Sequence, residues 1–312
     1  MKALKIILIV LLCNFFSKNS FAQFYYYNDK YYSTAFLYEV GVGAGVMNCV
    51  TDIGGANTDV ATYFNEIKMK NTHQSKNIYA GVMYQNMVGL RLEGTLGKVS
   101  SADSTISGKT NNLISKNVRN LSFRSNISEM ALLLEFHPLQ LLNFEIIPYL
   151  SPYVVAGVGW FHFNPQAELN GKWIDLHPLH TEGEGFAEYP DRKPYSLSQF
   201  NTPLGFGLRY EVSGIFNVRL EFLHRRLYTD YLDDASTKKY IDPSLFAKYL
   251  SPSDAANARI LFNRSKDGSI PVFRGHYQNN DAYMTLSVKV GFTLGRESTG
   301  TSTGTRQLRC AF

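Results

Sequence analysis

Several residue groups carry side chains that could do chemistry. Asp230, Asp233 and Asp234 place three carboxylates within five positions, the donor type that calcium prefers. Calcium wants six or more oxygens, and the spacing is not that of a helix–loop–helix calcium site, so a solvated, turn-forming acidic loop helped by Asp242-Pro243 is the better reading. His177 and His180 are three apart, but Pro178 between them argues for a loop rather than a helical metal pair. Glu182 and Glu184 could be cast as acid and base, yet beside Gly183 and Gly185 they read as soluble surface. His162 and His224 lie in or near extended segments among many serines, but no serine stands in a nucleophile context. Gly41-x-Gly43-x-Gly45 has no strand-to-helix unit around it and is not a dinucleotide fingerprint. These readings leave no catalytic residue, no metal site and no cofactor, and the expectation is a protein that is not an enzyme.

The remaining signals concern where the chain goes. Lys2 and Lys5 precede an apolar run from Ile6 to Leu12, and Ser20-Phe21-Ala22 fits a small-x-small cleavage site before Gln23. That order is a secretory signal peptide over residues 1–22, too short in its apolar core to span a bilayer. The segment carries Lys2, Lys5 and Lys18 and no acid, so its removal lowers the formal net charge from +5 to +2. A nearly neutral chain gives no electrostatic case for nucleic acid. Cys49 and Cys310, the cysteines outside the leader, are too few and too distant for a disulfide scaffold or zinc site.

Beyond the leader the recurrent pattern is strict alternation, the period of a strand with two unlike faces. Eight strands are predicted. Tyr38, Val40, Val42, Ala44 and Val46 oppose Glu39 and three glycines in the first; Leu90 and Leu92 oppose Arg91 and Glu93 in the third. Leu132 and Leu134 oppose Glu135 in the fourth, and Leu208 and Tyr210 oppose Arg209 in the sixth. Leu220 and Phe222 oppose Arg219 and Glu221 in the seventh, and Val288 and Val290 oppose Lys289 in the eighth. Short turns near Gln85-Asn86, Pro138 to Asn143 and Ser213-Gly214 alternate with long connections over roughly 49–76, 98–120, 164–195 and 229–280. Short periplasmic turns with long external loops are the pattern of a transmembrane barrel. Aromatics fall at both predicted strand ends: Tyr38, Tyr84, Phe136, Tyr149, Tyr210 and Phe292 at one, Trp160, Phe161, Phe163, Phe200 and Tyr228 at the other. The predicted fold is therefore all-β, an eight-stranded antiparallel barrel of the outer membrane in contact with lipid. Its lumen should be plugged by Glu39, Arg91, Glu93, Glu135, Arg209, Arg219, Glu221 and Lys289, pairing across neighbouring strands. A Tyr-rich periplasmic segment over 23–36, the barrel over 37–294, and a flexible Gly/Ser/Thr-rich periplasmic tail over 295–312 complete the organisation.

A family resemblance rests on ordered segments. Arg119-Asn120-Leu121-Ser122-Phe123-Arg124-Ser125-Asn126 opens the fourth strand. Ala156-Gly157-Val158-Gly159 leads to Phe163-Asn164-Pro165, and Trp173 precedes Pro178-Leu179-His180-Thr181-Glu182-Gly183. Tyr228-Thr229-Asp230-Tyr231-Leu232-Asp233-Asp234 closes the seventh strand, and Arg274-Gly275 precedes Asp281. In this order the chain resembles, over roughly 37–294, the PorG-like outer-membrane barrels of Bacteroidetes. The resemblance implies association with the type IX secretion system, as a membrane anchor for a periplasmic ring of the PorK lipoprotein and PorN. It assigns no catalytic residue and gives the named motif residues no individual role. A stand-alone barrel that binds a ligand or partner through its surface loops remains the alternative reading.

Overall fold

The computed structural model describes residues 35–54, 69–105, 118–141, 150–265, 268, 270–271, 274–275 and 280–294. The leader, most of the Tyr-rich segment, Tyr149, Cys310 and the tail lie outside them. Among the described residues there are nine strands: β1 (Phe36–Val50), β2 (His73–Tyr84), β3 (Val88–Ala102), β4 (Ser122–Phe136), β5 (Leu150–Leu169), β6 (Lys172–Asp175), β7 (Ser198–Ser213), β8 (Phe216–Leu227) and β9 (Ala282–Leu294). All pairings are antiparallel. The order runs β4-β3-β2-β1-β9-β8-β7-β5, and β4 pairs with β5 to close a barrel of eight staves. The ninth strand, β6, is an addition that folds back on the outer end of β5 through Asn170 and Gly171, both at positive φ. Closure gives every stave two hydrogen-bonded neighbours, which lipid, having no donors or acceptors, requires.

The described residues contain no helix long and apolar enough to cross a membrane, and the staves carry the apolar surface instead. Val42, Ile78, Leu92, Leu132, Val158, Leu204, Phe206 and Val288 all point outward and are exposed. They form a belt around the whole circumference, far beyond the few hundred Å² of contiguous apolar surface that a water-soluble monomer shows. Tyr38, Tyr84, Tyr210 and Phe292 border it at the short-turn end, and Trp160, Phe200 and Tyr228 at the other. At the short-turn end, Gln85 and Asn86 both adopt positive φ in the tight turn of the three-residue connection between β2 and β3, where Met87 N–H donates to the Tyr84 carbonyl at 3.0 Å. Paired left-handed residues are what the twist of such a hairpin demands, and asparagine tolerates them well.

Beyond the belt the staves continue, and their two faces exchange character. Lys98, Arg124, Asn126, Asn164 and Arg226 now face outward. Met47, Val99, Phe123, Ile127, Phe161, Phe163, Leu227 and Tyr283 face inward and make one core. This corrects two expectations. Phe161 and Phe163 are core residues and not part of the aromatic border, and β5 runs to Leu169 instead of ending near Phe163. The physical reason is the change of solvent: outside the bilayer, water takes the polar face and the apolar face turns in.

The belt assignment has a direct consequence. Val42→Arg, at the middle of the β1 lipid face, is expected to destabilise the folded barrel by about 2–4 kcal/mol, and Val42→Leu by under ~1 kcal/mol. Urea unfolding in phospholipid vesicles measures both; equal small losses would show that this face does not meet hydrocarbon.

Candidate functional site

Among the described residues two polar assemblies are buried, one in the lumen at the level of the belt and one beneath the outer loops. In the lumen, parity along each stave sends Glu39, Arg91, Glu93, Glu135, Arg209, Arg219, Glu221 and Lys289 inward, and all are buried. Register places Arg209 beside Arg219, and Arg219 beside Lys289, on β7, β8 and β9. Three adjacent cations repel, so their counter-charges must come from elsewhere. Arg219 reaches Glu39 on β1 at 2.7 Å and Glu135 on β4 at 2.8 Å. Arg91 on β3 meets Glu135 at 2.5 Å and Glu221 on β8 at 2.7 Å. Lys289 lies 2.5 Å from both Glu93 on β3 and Glu221. Arg209 is 3.4 Å from Glu39. Pairing across neighbouring strands was the expectation. Arg91–Glu135 and Lys289–Glu221 fit it, but most of the others span the lumen, because like charges occupy adjacent staves.

Tyrosines complete the filling. Tyr79 donates to Glu39 and Tyr153 to Glu221, each at 2.7 Å. Their rings lie over glycines: a Cβ on Gly41 would stand 2.5 Å from Tyr79 Cζ, and one on Gly207 2.5 Å from Tyr153 Cζ. Of the alternation Gly41-x-Gly43-x-Gly45, Gly41 makes room for a buried ring, Gly43 for Asn77 and Lys289, and Gly45 for the backbone of β9. A further pair sits higher, Arg225 with Glu129 at 3.0 Å, and Asn201 bridges Glu129 and Tyr283 at 2.9 Å each. Sequence reasoning passed over Glu129 and Arg225, although each shares the inward parity of residues it had already selected.

The second assembly gathers most of the residues singled out by the resemblance. Arg119 makes a two-pronged contact with Asp103 at 2.8 and 2.7 Å and donates to the Asp52 carbonyl at 3.0 Å and to the Arg274 carbonyl. Arg274 meets Glu182 at 3.1 Å and the Thr181 hydroxyl at 2.5 Å. Glu182 also accepts the backbone N–H groups of Ser236 at 3.1 Å and Thr237 at 2.9 Å. Asp234, at φ 64°, accepts from Tyr195 at 2.7 Å and from Thr181 at 2.5 Å. Asp233 accepts from the backbone of Ile53 at 2.8 Å and Ala235 at 3.0 Å. Gly275 donates to the Thr237 carbonyl at 2.8 Å, and a Cβ there would stand 2.5 Å from the Ala235 carbonyl oxygen. At the edge, Arg124 stacks on Trp173 at 3.7 Å, Asn164 donates to Asp175 at 3.0 Å, the Pro165 carbonyl accepts from Leu176 N at 2.9 Å, and Asn120 donates to the Arg264 carbonyl at 3.3 Å.

Two readings of these loops are therefore corrected. Asp230, Asp233 and Asp234 are buried rather than solvated, and Glu182 and Glu184 are buried rather than surface residues. They tie together connections that are far apart in sequence, which no local pattern reveals. A separate apolar core lies beside them, in which Leu176, Leu179 and Phe186 pack against Phe246 of α1 (Phe246–Tyr249) and Ala258 and Leu261 of α2 (Pro252–Leu261). His177 and His180 do not form a metal pair: His177 bonds the Tyr195 carbonyl at 2.9 Å, and His180 is a left-handed turn residue at φ 46°. His162 does approach a serine, Ser198, at 2.9 Å, on the exposed outer rim.

Fold and lumen together define the class: the chain is an eight-stranded β-barrel of the outer membrane, filled by charge. No family model and no curated protein matches it. Among solved structures it is similar to Neisserial surface protein A, with 10% identity, a TM-score of 0.38, and coverage of 83% of this chain and 97% of that one. It is also similar to Ail, the attachment invasion locus protein of Yersinia pestis (9%, TM-score 0.36, 83% and 99%). A third is the outer membrane protein OprG of Pseudomonas aeruginosa (10%, TM-score 0.33, 83% and 96%). At these identities and scores the likeness adds nothing to what strand pairing and the apolar belt already show.

Two measurements follow from the assemblies. Lys289→Met leaves Glu93 and Glu221 without their shared cation and should lower stability by about 3–5 kcal/mol, whereas Lys172→Met on exposed β6 should stay within about 0.5 kcal/mol; urea unfolding in detergent micelles separates them. Glu184 has one carboxylate oxygen buried without a partner, and burial together with the charges of Asp234 and Glu182 pushes its carboxyl up to about 8 from 4.5. A raised carboxyl contributes stability that is complete below its unfolded value and is lost as the pH climbs through its folded one. Amide exchange in residues 176–190 should therefore quicken as the pH rises from 4.5 to 8, after correction for intrinsic exchange. Glu184→Gln should flatten that trend, and an unchanged slope would refute the assignment.

Proposed function

We propose that this chain is a structural component of the outer membrane that anchors the periplasmic ring of a type IX protein secretion machine, the ring being of the PorK and PorN kind. The observation that carries the structural half of this reading is the filled lumen. Lys289, Arg219, Arg91, Glu93, Glu135 and Glu221 have almost no accessible surface and neutralise one another across it. A barrel so packed offers no route for a solute, and among the described residues no side-chain set is arranged for bond-making. The anchoring half rests on the resemblance to PorG-like barrels. It gains weight because the segments carrying that resemblance, around Arg119, Glu182, Asp230 to Asp234 and Arg274, are those that knit the outer loops into one body.

One observation favours a second reading, a barrel that engages a ligand or partner from outside. The connections around α1 and α2 have an apolar core of their own, so the outer end is a built platform rather than a set of loose loops. Trp173, Tyr249 and Ile260 stand exposed on it.

Deletion of the gene, with the secreted proteome measured and the tagged barrel pulled down from solubilised envelopes, separates the two. The anchor is expected to be required for export of type IX cargo and to recover PorK- and PorN-type ring proteins. Unchanged export with no ring protein recovered would overturn the anchor and leave the surface barrel.

A further inference from the structure

The lipid-facing side of β2, β3 and β4 changes character in a fixed order toward the outer loops. Ile78 and Leu96 are 65% and 62% exposed and belong to the apolar belt. The next outward residue on β2 is Lys76, and on β3 it is Lys98. Register sets Lys76 opposite Leu96, so the two lysines are diagonal neighbours on adjacent staves, about 7–8 Å apart. The carboxylates of these three staves, Glu93, Glu129 and Glu135, all point inward and are buried, so none stands beside the lysines. Farther out, Asn126 lies opposite Lys98, and Arg124 follows it on β4. Arg124 donates to Gln166 at 3.0 Å and stacks on Trp173, which is 38% exposed. Asn164 and Gln166 are fixed in turn by Asp175, at 3.0 and 2.6 Å. One side of the barrel thus presents, in order, an apolar surface, two cations, and a shelf of amides that carries an aromatic ring. The short-turn end has no counterpart: among the described residues, no lysine or arginine faces outward there.

We propose that this side of the barrel holds a phosphorylated glycolipid of the outer leaflet, with a phosphate between Lys76 and Lys98. Its acyl chains lie on Ile78 and Leu96, and the sugars beyond its phosphates rest against Asn126 and the Arg124–Trp173 shelf. The order of the side chains is the order of the chemistry in such a lipid, read from hydrocarbon to headgroup. Lys76 has apolar neighbours, and its stem runs along them while the ammonium reaches toward the headgroup. Two ammonium groups at this spacing repel, and an anion between them removes the repulsion. A phosphate brings both the charge and the acceptor oxygens for it. An exposed ring beside fixed amides suits a sugar, which offers C–H groups on one face and hydroxyls around its rim. The inference rests on the fold and the membrane alone and is independent of the secretion reading.

The test uses the full mature chain refolded into detergent and titrated with short-chain lipopolysaccharide, with lipid A, which lacks the outer sugars, and with dephosphorylated lipid A. Native mass spectrometry counts the lipid retained. The wild type is expected to hold one glycolipid. Lys76→Gln combined with Lys98→Gln should weaken binding of lipid A by at least about tenfold, and dephosphorylation of the lipid should weaken its binding to the wild type by as much. Lys98→Gln alone provides the comparison should the double variant not refold. Arg226→Gln removes an outward cation on β8, which β1 and β9 separate from β2, and should leave binding unchanged. Trp173→Ala should weaken binding of the lipopolysaccharide but not of lipid A. Binding that is equal in the wild type and the lysine variant, or equal for the phosphorylated and dephosphorylated lipids, would overturn the site. Phosphatidylglycerol held as tightly would overturn the choice of a glycolipid. An equal loss in Arg226→Gln would overturn the placement, leaving attraction by net charge only, and lipopolysaccharide binding unchanged in Trp173→Ala would overturn the sugar contact.

Discussion

The ion pairs that cross the lumen are the constraint on which the rest of the barrel depends. Arg219 is held between Glu39 and Glu135, and Arg91 between Glu135 and Glu221, so four staves share two guanidinium groups. All of these charges are buried. Each is tolerable only because the others are in place, and removing one strands its partners in a low-dielectric interior. Eight staves make the interior just narrow enough for this to happen. The glycines on the same face follow from it: with Tyr79 and Tyr153 needed to donate to Glu39 and Glu221, the staves beneath their rings have no room for a Cβ.

Along the same staves the physics reverses at the outer edge of the membrane. Within the belt, lipid takes the apolar face and the lumen takes the charges; beyond it, water takes the polar face and Phe161, Phe163 and Tyr283 fill the interior. The upper core acts as a lid on the charged lumen, since Arg225 and Glu129 sit between the two and are themselves paired. The outer connections then build on that lid. Their buried acids are held by backbone donors and two arginines, an arrangement that joins chain segments 16 to 180 residues apart. Among the described residues the buried carboxylates there outnumber the buried arginines, whereas the buried charges of the lumen balance.

On the proposed role, these two layers divide the work. In that role the filled barrel supplies a fixed body, and the hydrogen-bonded outer connections cap it. Anchoring asks only for a surface and a rigid frame, so a chain serving it carries no catalytic signature. The resemblance falls on the residues that maintain the frame, Arg119, Glu182 and Arg274 among them, and not on the short turns that face the periplasm.

What was legible in the sequence is what depends on parity. A strand period of two, with apolar residues on one side and single charges on the other, was enough to place Val42 and Leu132 on lipid, to send Glu39 and Lys289 inward, and to count eight staves. Parity holds because each stave has a uniform solvent on each side. It misled where the solvent changed: Phe161 and Phe163 keep their register but exchange lipid border for core, and β5 continues where the apolar outward pattern stops. Which charges pair was beyond sequence, because Lys289 and Glu93 meet across a lumen whose diameter only closure sets. The loops were the least legible. Asp230 to Asp234 and Glu182 look like solvated acids one by one, and only tertiary folding, by bringing Ile53, Arg274 and Asp281 to them from distant connections, buries them and makes their charge matter.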